Sequence, residues 1–162
     1  MDHSSYPNEY ILGILNSCKA IAMVGASANW NRPSYFAMKY LQEKGFRVIP
    51  VNPGAADQEI LGEKVYASLK EIPVKVDMVD CFRNAEAIPP IAEEAIEIGA
   101  KVLWLQLGVV NEAAAKRAEA AGLKVVMNRC PKIEYGRLSG EIGWMGVTTN
   151  VISSKRKRPV GR

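Results

Sequence analysis

The sequence predicts one α/β domain, a doubly wound parallel sheet of five strands with helices on both faces. Short runs that are apolar at nearly every position alternate with helical stretches, and such runs fit strands that are covered on both faces. The chain has 162 residues, of which 48% are hydrophobic, so it suits a single domain with a substantial core. No repeat or linker interrupts the alternation of strands and helices, which predicts parallel pairing.

The predicted strands are short, rich in β-branched residues and bounded by polar or glycine-containing segments. They cover residues 20–24, 48–51, 76–80, 102–106 and 124–127. Right-handed crossovers between them favour the strand order 3-2-1-4-5. Parallel pairing places the carboxyl ends of all five strands at one edge, where sheets of this class bind ligands.

The predicted helices are marked by residues typical of helix boundaries. Pro33 suits a first turn, and Asn84 and Asn111 suit N-caps. The four helices cover residues 9–17, 33–44, 84–98 and 111–121, and a glycine follows each of the last three. Ser68 and Glu71 have the spacing of a capping box, which predicts a short helix. Pro131 is expected to end regular structure after the last strand.

The chain shows no targeting signal and no sign of metal or disulfide chemistry. Residues 1–10 are polar, so we expect no signal peptide. No run approaches the roughly 18 apolar residues of a membrane helix, so we expect no membrane association. The three cysteines lack the spacing of a disulfide framework or a zinc site, which favours a reducing cytoplasm.

The formal net charge of +4 is concentrated at the C-terminus. Residues 155–162 hold five of the 21 basic side chains, so residues 1–154 carry 16 positive and 17 negative charges. We expect a domain at 1–138 and an irregular extension at 139–162 that ends in this basic tail. Such a tail can bind nucleic acid or an anionic membrane. A solvated tail is favoured because no aromatic side chains interleave with the charges.

The loop after the first strand has the features of an anion site. Gly25 permits a tight turn, and Pro33 begins a helix whose first N–H groups and dipole attract anions. Small and hydrogen-bonding residues complete the loop, namely Ala26, Ser27, Arg32 and Ser34. A diphosphate fits such a loop, whereas the further glycines of a full dinucleotide fingerprint are absent at positions 27 and 30. A plain strand–helix turn is the alternative.

The loop after the second strand separates two kinds of nucleotide ligand. An NAD site has an acidic residue there to accept the ribose hydroxyls, but this chain has Asn52 and Pro53, and Asp57 lies past the turn. The lack of a carboxylate tolerates a phosphorylated ribose, and Pro53 offers a flat apolar surface for adenine. The alternative is an ordinary Asn-Pro-Gly turn.

Few side chains are suited to catalysis. The single histidine, His3, lies near the N-terminus, which disfavours a Ser–His system. Asp77 and Asp80 are expected on opposite faces of a strand, which disfavours joint acid–base chemistry. Cys130, beside Arg129 at a strand end, is the one candidate nucleophile, and a buried inert thiol is the alternative.

Seven collinear blocks resemble a known family. The blocks are VGAS at 24–27, RPSYFAMKYL at 32–41, VIPVNP at 48–53, LGEKVYASL at 61–69, KVDMVDCFRN at 75–84, GAKVLWLQLGVVNE at 99–112 and GLKVVMNRCPKIE at 122–134. They resemble the small CoA-binding proteins of the YccU-like family, which are similar to the CoA-binding N-terminal domain of the succinyl-CoA synthetase α subunit. The resemblance covers about residues 8–138 and implies a Rossmann-type domain that holds CoA or acyl-CoA across the carboxyl ends of the strands.

The resemblance also implies roles for individual residues. By this resemblance, the diphosphate is bound by Gly25, Ala26, Ser27, Arg32, Pro33 and Ser34. The adenosine lies along Val51, Asn52 and Pro53. The cofactor passes Phe82 and Arg83, and its pantetheine contacts Leu105, Gln106, Leu107 and Gly108. Asn128 and Cys130 lie near the thiol end. Ala55 departs from the pattern, since the synthetase has a lysine there. No histidine-bearing second domain or ATP-grasp partner is expected, so ligase activity is not implied.

Three functions are weighed. The leading hypothesis is a CoA-binding or acyl-CoA-binding protein without evident catalytic machinery, in which Cys130 forms a mixed disulfide with bound CoA under oxidising conditions if Arg129 lowers its pKa. The second is a nicotinamide-dinucleotide-binding oxidoreductase or redox sensor on the same fold. The third is an interaction protein whose tail contacts nucleic acid, which the nearly neutral body disfavours. Homo-oligomerisation or an unidentified protein partner is left open.

Overall fold

The computed structural model describes residues 1–139. The strands in this part of the chain are β1 Ala20–Val24, β2 Arg47–Val51, β3 Glu59–Ile60, β4 Glu63–Lys64, β5 Met78–Cys81, β6 Val102–Leu105 and β7 Lys124–Val126. Five strands form a parallel sheet in the order β2-β1-β5-β6-β7, while β3 and β4 form a separate antiparallel hairpin. The predicted fold class is confirmed, and each predicted strand overlaps one strand of the parallel sheet. Apart from Ser139, which ends a helix, the predicted irregular extension and basic tail lie outside the described residues.

The predicted strand order is wrong. In the numbering of the five predicted strands, the observed order is 2-1-3-4-5 rather than 3-2-1-4-5. The segment after β2 runs along the outer side of that strand, where Tyr66 donates its N–H to the Pro50 carbonyl and accepts from the Asn52 N–H. This segment therefore takes the position that the third predicted strand would need. β5 pairs with the other side of β1 instead.

In residues 1–139, five α-helices cover the sheet, and one of them, α4, begins at a predicted cap. The helices are α1 Asn8–Ser17, α2 Pro33–Glu43, α3 Ile88–Glu97, α4 Glu112–Ala120 and α5 Pro131–Ser139. Asn111 caps α4, since its side chain accepts a hydrogen bond from the Ala114 N–H at 2.9 Å. Asn84 accepts in the same way from the Ala87 N–H, in the 3₁₀ turn that leads into α3.

Two local predictions are wrong. Ser68 makes no capping hydrogen bond, so the capping box is absent, although the short helix predicted there is present as one 3₁₀ turn, Leu69–Glu71. Pro131 begins α5 instead of ending regular structure. A proline fits the first turn of a helix because the N–H that it lacks has no partner inside the helix there.

The parallel sheet is buried on both faces, as its continuous apolar strands require. One face packs under α1, α2 and α5, with Trp104 of β6 at its centre and fully buried. The other face packs under α3 and α4, whose contact residues are mostly alanines. Among the described residues, no helix has both the length and the apolar character needed to cross a bilayer.

The outer edge of β7 is covered by the N-terminal segment. The Tyr10 hydroxyl donates to the Val125 carbonyl at 2.9 Å and accepts from the Val125 N–H at 3.1 Å. The Tyr6 hydroxyl accepts from the Met127 N–H at 2.8 Å, and the two tyrosine rings stack with centroids 5.7 Å apart. These contacts fix the N-terminus and satisfy backbone groups that would otherwise be unpaired on an edge strand.

Candidate functional site

In the observed sheet, β2 lies on one side of β1 and β5 lies on the other, so the order in which the chain adds strands reverses between β1 and β5. Chain connections leave to opposite sides at such a point, and a crevice opens at the carboxyl ends of the two strands. Gly25 follows β1 and Phe82 follows β5. The Phe82 N–H donates to the Val24 carbonyl, and the Gly25 N–H donates to the Val51 carbonyl, so three strand ends are held together. Of these three central loops, the loop at Gly25 was predicted as an anion site, and the loop at Asn52 was predicted to distinguish between nucleotide ligands.

Gly25 is required by the packing of two loops. Its φ angle is +89°, a region that residues with side chains rarely adopt. A Cβ atom at this position would lie 2.4 Å from the Phe82 carbonyl oxygen and 3.0 Å from Cδ of Arg83. The glycine therefore allows the loop after β1 to lie directly against the loop after β5.

The rest of the first loop is ordered by its own side chains. The Ser27 hydroxyl accepts from the Asn29 N–H at 3.0 Å, and Asn29 accepts from the Asn31 N–H at 3.3 Å. Arg32 is exposed at the N-cap of α2 and gives that helix no side-chain cap. Ser34, which was predicted as a hydroxyl donor to ligand, is buried with 4% of its surface exposed.

Asn52 joins the first loop to the loop after β2. Its amide nitrogen donates to the Ala26 carbonyl and its amide oxygen accepts from the Gly54 N–H, both at 2.9 Å. Val51 is buried, so Pro53 provides the exposed apolar surface of this loop. Asn52 therefore uses its side chain to position two loops.

Asn128 plays a similar part on the other side of the site. Its φ angle is +59°, and its side-chain oxygen accepts from the Gly108 N–H at 2.7 Å. The hydrogen bond joins the loop after β6 to the loop after β7. Leu105, which was predicted to contact pantetheine, is fully buried at the end of β6.

A cleft of about 950 Å³ lies over the carboxyl ends of β5 and β6, between α2 and the start of α5. Six of the predicted site residues line it, namely Pro33, Phe82, Arg83, Gln106, Leu107 and Cys130. The other predicted site residues are not among its lining residues. They are Gly25, Ala26, Ser27, Arg32, Ser34, Val51, Asn52, Pro53, Leu105, Gly108 and Asn128.

Sequence reasoning missed the two helical walls of this cleft. On α2 the lining residues include Phe36 and Tyr40, which share one helical face with Pro33 because they lie three and seven residues beyond it. Lys132 and Ile133 line it from α5, a helix that was not predicted. The spacing on α2 was a usable signal, whereas α5 was hidden by the interpretation of Pro131.

The lining of the cleft carries net positive charge, since it contains three cations and one carboxylate, Glu43. Lys39, Arg83 and Lys132 line the cleft, and Arg32 is exposed next to its lining residue Pro33. Within the described part of the chain, none of these four side chains forms a salt bridge. The arrangement attracts an anionic ligand.

Cys130 does not have the electrostatic environment that was predicted for it. The Arg129 guanidinium lies 5.1 Å from the centre of the Tyr6 ring and donates to the Asn128 carbonyl. Burial raises the pKa of the Cys130 thiol, and the charge of Asp80 raises it further. The expectation that Arg129 lowers this pKa is therefore wrong, and the thiol is protonated at neutral pH.

A family model described as a CoA binding domain matches residues 19–136, a range that includes every strand of the parallel sheet and all three central loops. This chain belongs to the CoA-binding domain family. The predicted resemblance is thereby confirmed at the level of the family.

Relatives of this CoA-binding domain occur both as small proteins and inside larger ones. The uncharacterised protein YneT of Bacillus subtilis is 42% identical over 122 residues, which cover 75% of this chain and 89% of YneT. The α subunit of ADP-forming acetate–CoA ligase I of Pyrococcus furiosus is 39% identical over 89 residues, or 52% of this chain and 19% of that subunit. A hypothetical protein from Pyrococcus horikoshii is 42% identical, and its solved structure superposes with a TM-score of 0.80, covering 86% of this chain and all of the other.

Proposed function

We propose that this domain binds CoA or acyl-CoA at the carboxyl edge of the sheet, with the diphosphate at the start of α2 and the pantetheine arm in the cleft. The observation that carries the proposal is the position of the cleft. It opens over the carboxyl ends of β5 and β6, beside the N-terminus of α2, where no side chain caps the first N–H groups. Arg32 is the exposed cation nearest to those groups in the chain.

The shape of the site supports a long ligand rather than a compact one. The first two loops, which Asn52 joins, lie beside the cleft, and Pro53 is their exposed apolar surface. Apolar side chains line much of the cleft, together with three cations. CoA has its parts in the same order, namely a base, charged phosphates and a long arm of alkyl and amide groups that ends in a thiol.

The residues of the loop after β2 favour CoA over the nicotinamide dinucleotides. We expect CoA to bind at least tenfold more tightly than NAD or NADP, because no carboxylate follows β2 to accept ribose hydroxyls. Titration calorimetry with the three compounds measures this directly. Dephospho-CoA as a fourth compound tests the tolerance of the phosphorylated ribose, and acetyl-CoA as a fifth tests the acyl group. Tight NAD binding without measurable CoA binding would replace the proposal by the oxidoreductase hypothesis.

Arg32 is expected to contribute to CoA affinity through a charge-assisted hydrogen bond. The Arg32→Ala variant should bind CoA with about 10- to 150-fold lower affinity, which corresponds to roughly 1.5–3 kcal/mol. The loss should shrink at high salt, because Arg32 is exposed and screened by counterions. Calorimetry at low and high salt provides the comparison.

Arg47→Ala is a matched control for this experiment. Arg47 is also exposed, but it begins β2 at the opposite edge of the sheet and pairs with Glu63 at 3.4 Å. We expect its removal to leave CoA affinity unchanged. If Arg32→Ala behaves like Arg47→Ala at low salt, the diphosphate is held by backbone N–H groups alone.

A further inference from the structure

Asp80 is a buried carboxyl group in the middle of the parallel sheet. It pairs in register with Met23 of β1 and with Trp104 of β6. Register neighbours in a sheet point to the same face, and both neighbours belong to the core beneath α1, α2 and α5. Asp80 therefore points to that face, and none of its surface is exposed. Aspartate is almost never fully buried unless it is paired, so its partner is informative.

Within residues 1–139, the Asp80 carboxyl group has a single hydrogen-bond partner, the side chain of Gln106. The Gln106 nitrogen Nε2 donates to Asp80 Oδ1 at 2.8 Å, while Asp80 Oδ2 is buried and unpaired. A buried oxygen without a partner is destabilising, so the packing of the sheet gives no reason for a carboxyl group here. The contact with Gln106 is the one feature that a carboxyl group explains.

Gln106 connects this buried group to the cleft. Its side chain lines the cleft, and 6% of its surface is exposed. In the part of the chain that the structure describes, its side chain makes no hydrogen bond other than the one to Asp80, so the amide oxygen Oε1 has no partner. The nitrogen and the oxygen of a carboxamide point in different directions from the carbon that joins them. Oε1 is therefore turned away from Asp80, in the wall of the cleft.

The charge of Asp80 decides which way the Gln106 amide is turned. An ionised carboxylate can only accept hydrogen bonds, so it must face Nε2 and not Oε1. A protonated carboxyl group can also donate, and the amide is then able to turn its oxygen toward Asp80. Burial raises the pKa of Asp80 from 3.8 to about 7, and the Gln106 hydrogen bond opposes that rise. The observed orientation of the amide is thus enforced above pH 7 and released below it.

We propose that Asp80 is a positioning residue that holds the Gln106 oxygen toward the cleft, where this oxygen accepts a hydrogen bond from an amide N–H of the ligand. The proposal rests on the proposed binding of CoA, whose long arm contains secondary amides. Asp80 is not among the lining residues of the cleft and acts only through Gln106. A ligand whose arm has no N–H group would leave Oε1 unpaired, so the pair selects amide-containing ligands.

Titration calorimetry with CoA at pH 8 tests the link between the two residues. Gln106→Met keeps an unbranched side chain but removes the amide, so we expect about 2- to 12-fold weaker binding, the range for one neutral hydrogen bond. Asp80→Leu should also weaken binding, because Gln106 is no longer held. The double variant should bind CoA as weakly as Gln106→Met alone, since Asp80 has no effect without Gln106.

Gln42→Met is the matched control for the loss of a glutamine. Gln42 is partly buried, and its side chain donates one hydrogen bond, to the Leu61 carbonyl at 3.2 Å. It does not line the cleft, so we expect CoA affinity to stay unchanged. Circular dichroism establishes that each variant is folded before its affinity is compared.

Analogues of CoA identify the group that Gln106 binds, and this arm of the test needs only the wild type and Gln106→Met. Each amide of the CoA arm is replaced in turn by an ester, which removes one N–H and keeps the shape. We expect one ester to bind the wild type about 2- to 12-fold more weakly than CoA does. Most of that difference should disappear in Gln106→Met.

The pH profile tests the role of the charge. Between pH 6 and pH 8, the CoA affinity of the wild type should rise by about three- to tenfold relative to that of Asp80→Asn, because the competent fraction follows the ionisation of Asp80. Taking the ratio of the two affinities at each pH removes the titration of the ligand phosphates and of nearby groups. These groups are Cys81 and Cys130, whose pKa values the charge of Asp80 raises, and the titratable side chains on the helices over this face, namely Glu9 and Tyr10 of α1, Tyr35, Lys39, Tyr40 and Glu43 of α2 with Lys44 at its C-cap, and Lys132, Glu134, Tyr135 and Arg137 of α5.

Independent effects of the two residues overturn the proposal. If the losses in Asp80→Leu and Gln106→Met multiply in the double variant, Asp80 does not act through Gln106. Equal binding of CoA and both esters by the wild type overturns it as well, and so does an affinity ratio to Asp80→Asn that is constant with pH. If CoA binds and Gln106→Met leaves its affinity unchanged, this inference fails alone. If the wild type binds no CoA at all, the proposed function fails and this inference fails with it.

Discussion

Replacement of Gly25 by alanine is expected to lower the free energy of unfolding by roughly 3–5 kcal/mol. Alanine is strained at a φ of +89°, and its Cβ would lie 2.4 Å from the Phe82 carbonyl oxygen. The carbonyl oxygen is a backbone atom and Cβ is bonded directly to the backbone, so neither can rotate away. The loops after β1 and β5 must therefore separate. Urea denaturation followed by circular dichroism measures the loss.

The Gly45→Ala variant separates the cost of backbone strain at a positive φ from the cost of the clash with the Phe82 carbonyl oxygen. Gly45 follows α2 with a φ of +98°, but a Cβ atom there would have no neighbour within 4 Å. We expect this variant to lose only about 1 kcal/mol, the usual cost of a side chain in the left-handed region. Equal losses in the two variants would mean that the contact between Gly25 and Phe82 contributes nothing to stability.

Replacement of Asp80 by asparagine is expected to raise the free energy of unfolding by about 2–4 kcal/mol at pH 8 and to change it little at pH 4. The pKa of Asp80 is about 7 in the folded protein and 3.8 in the ordinary case. The folded state therefore binds this proton more tightly than the unfolded chain does. Below pH 4 both states are protonated and ionisation of Asp80 has no effect on stability.

As the pH rises from 4 to 7, the unfolded chain releases the proton freely and the folded protein does not, so the wild type loses stability over this range. Above pH 7 the loss is complete and constant. Asparagine keeps the acceptor for Gln106 and has no proton to release. Denaturation of both proteins at a series of pH values gives the difference. Parallel curves for the wild type and Asp80→Asn would show that Asp80 titrates normally.

The strands could be predicted from local sequence, and their order could not. Runs such as 102–106 are apolar on both faces of the strand, which is a property of the run itself. The order depends on the edge of β2, where the backbone of Tyr66 pairs with residues that lie 14 to 16 positions earlier in the chain. No local pattern around Tyr66 marks it as an edge residue, so the crossover rule gave the wrong neighbour for the third strand.

Only part of the candidate site could be predicted, because local sequence marks the ends of strands but not the contacts between distant elements. The loop residues were found because Gly25, Asn52 and Asn128 directly follow predicted strands, with Cys130 two residues after Asn128. The functional consequences of Asp80 depend on burial and on Gln106, which lies 26 residues away. The face of α2 that contains Phe36 and Tyr40 reads in sequence like any amphipathic helix, and only the position of α5 turns it into one wall of a cleft.

The tyrosines at the rim of β7 have a consequence for the behaviour of this protein in concentrated solution. Sheets grow into aggregates when a strand of another molecule finds free N–H and carbonyl groups along an outer strand. On this molecule, the Tyr6 and Tyr10 hydroxyls already occupy those groups at Val125 and Met127, and the Tyr66 backbone occupies them beside β2. Because the blocking groups at β7 come from residues 6 and 10, loss of the first ten residues would expose a template for fibril growth.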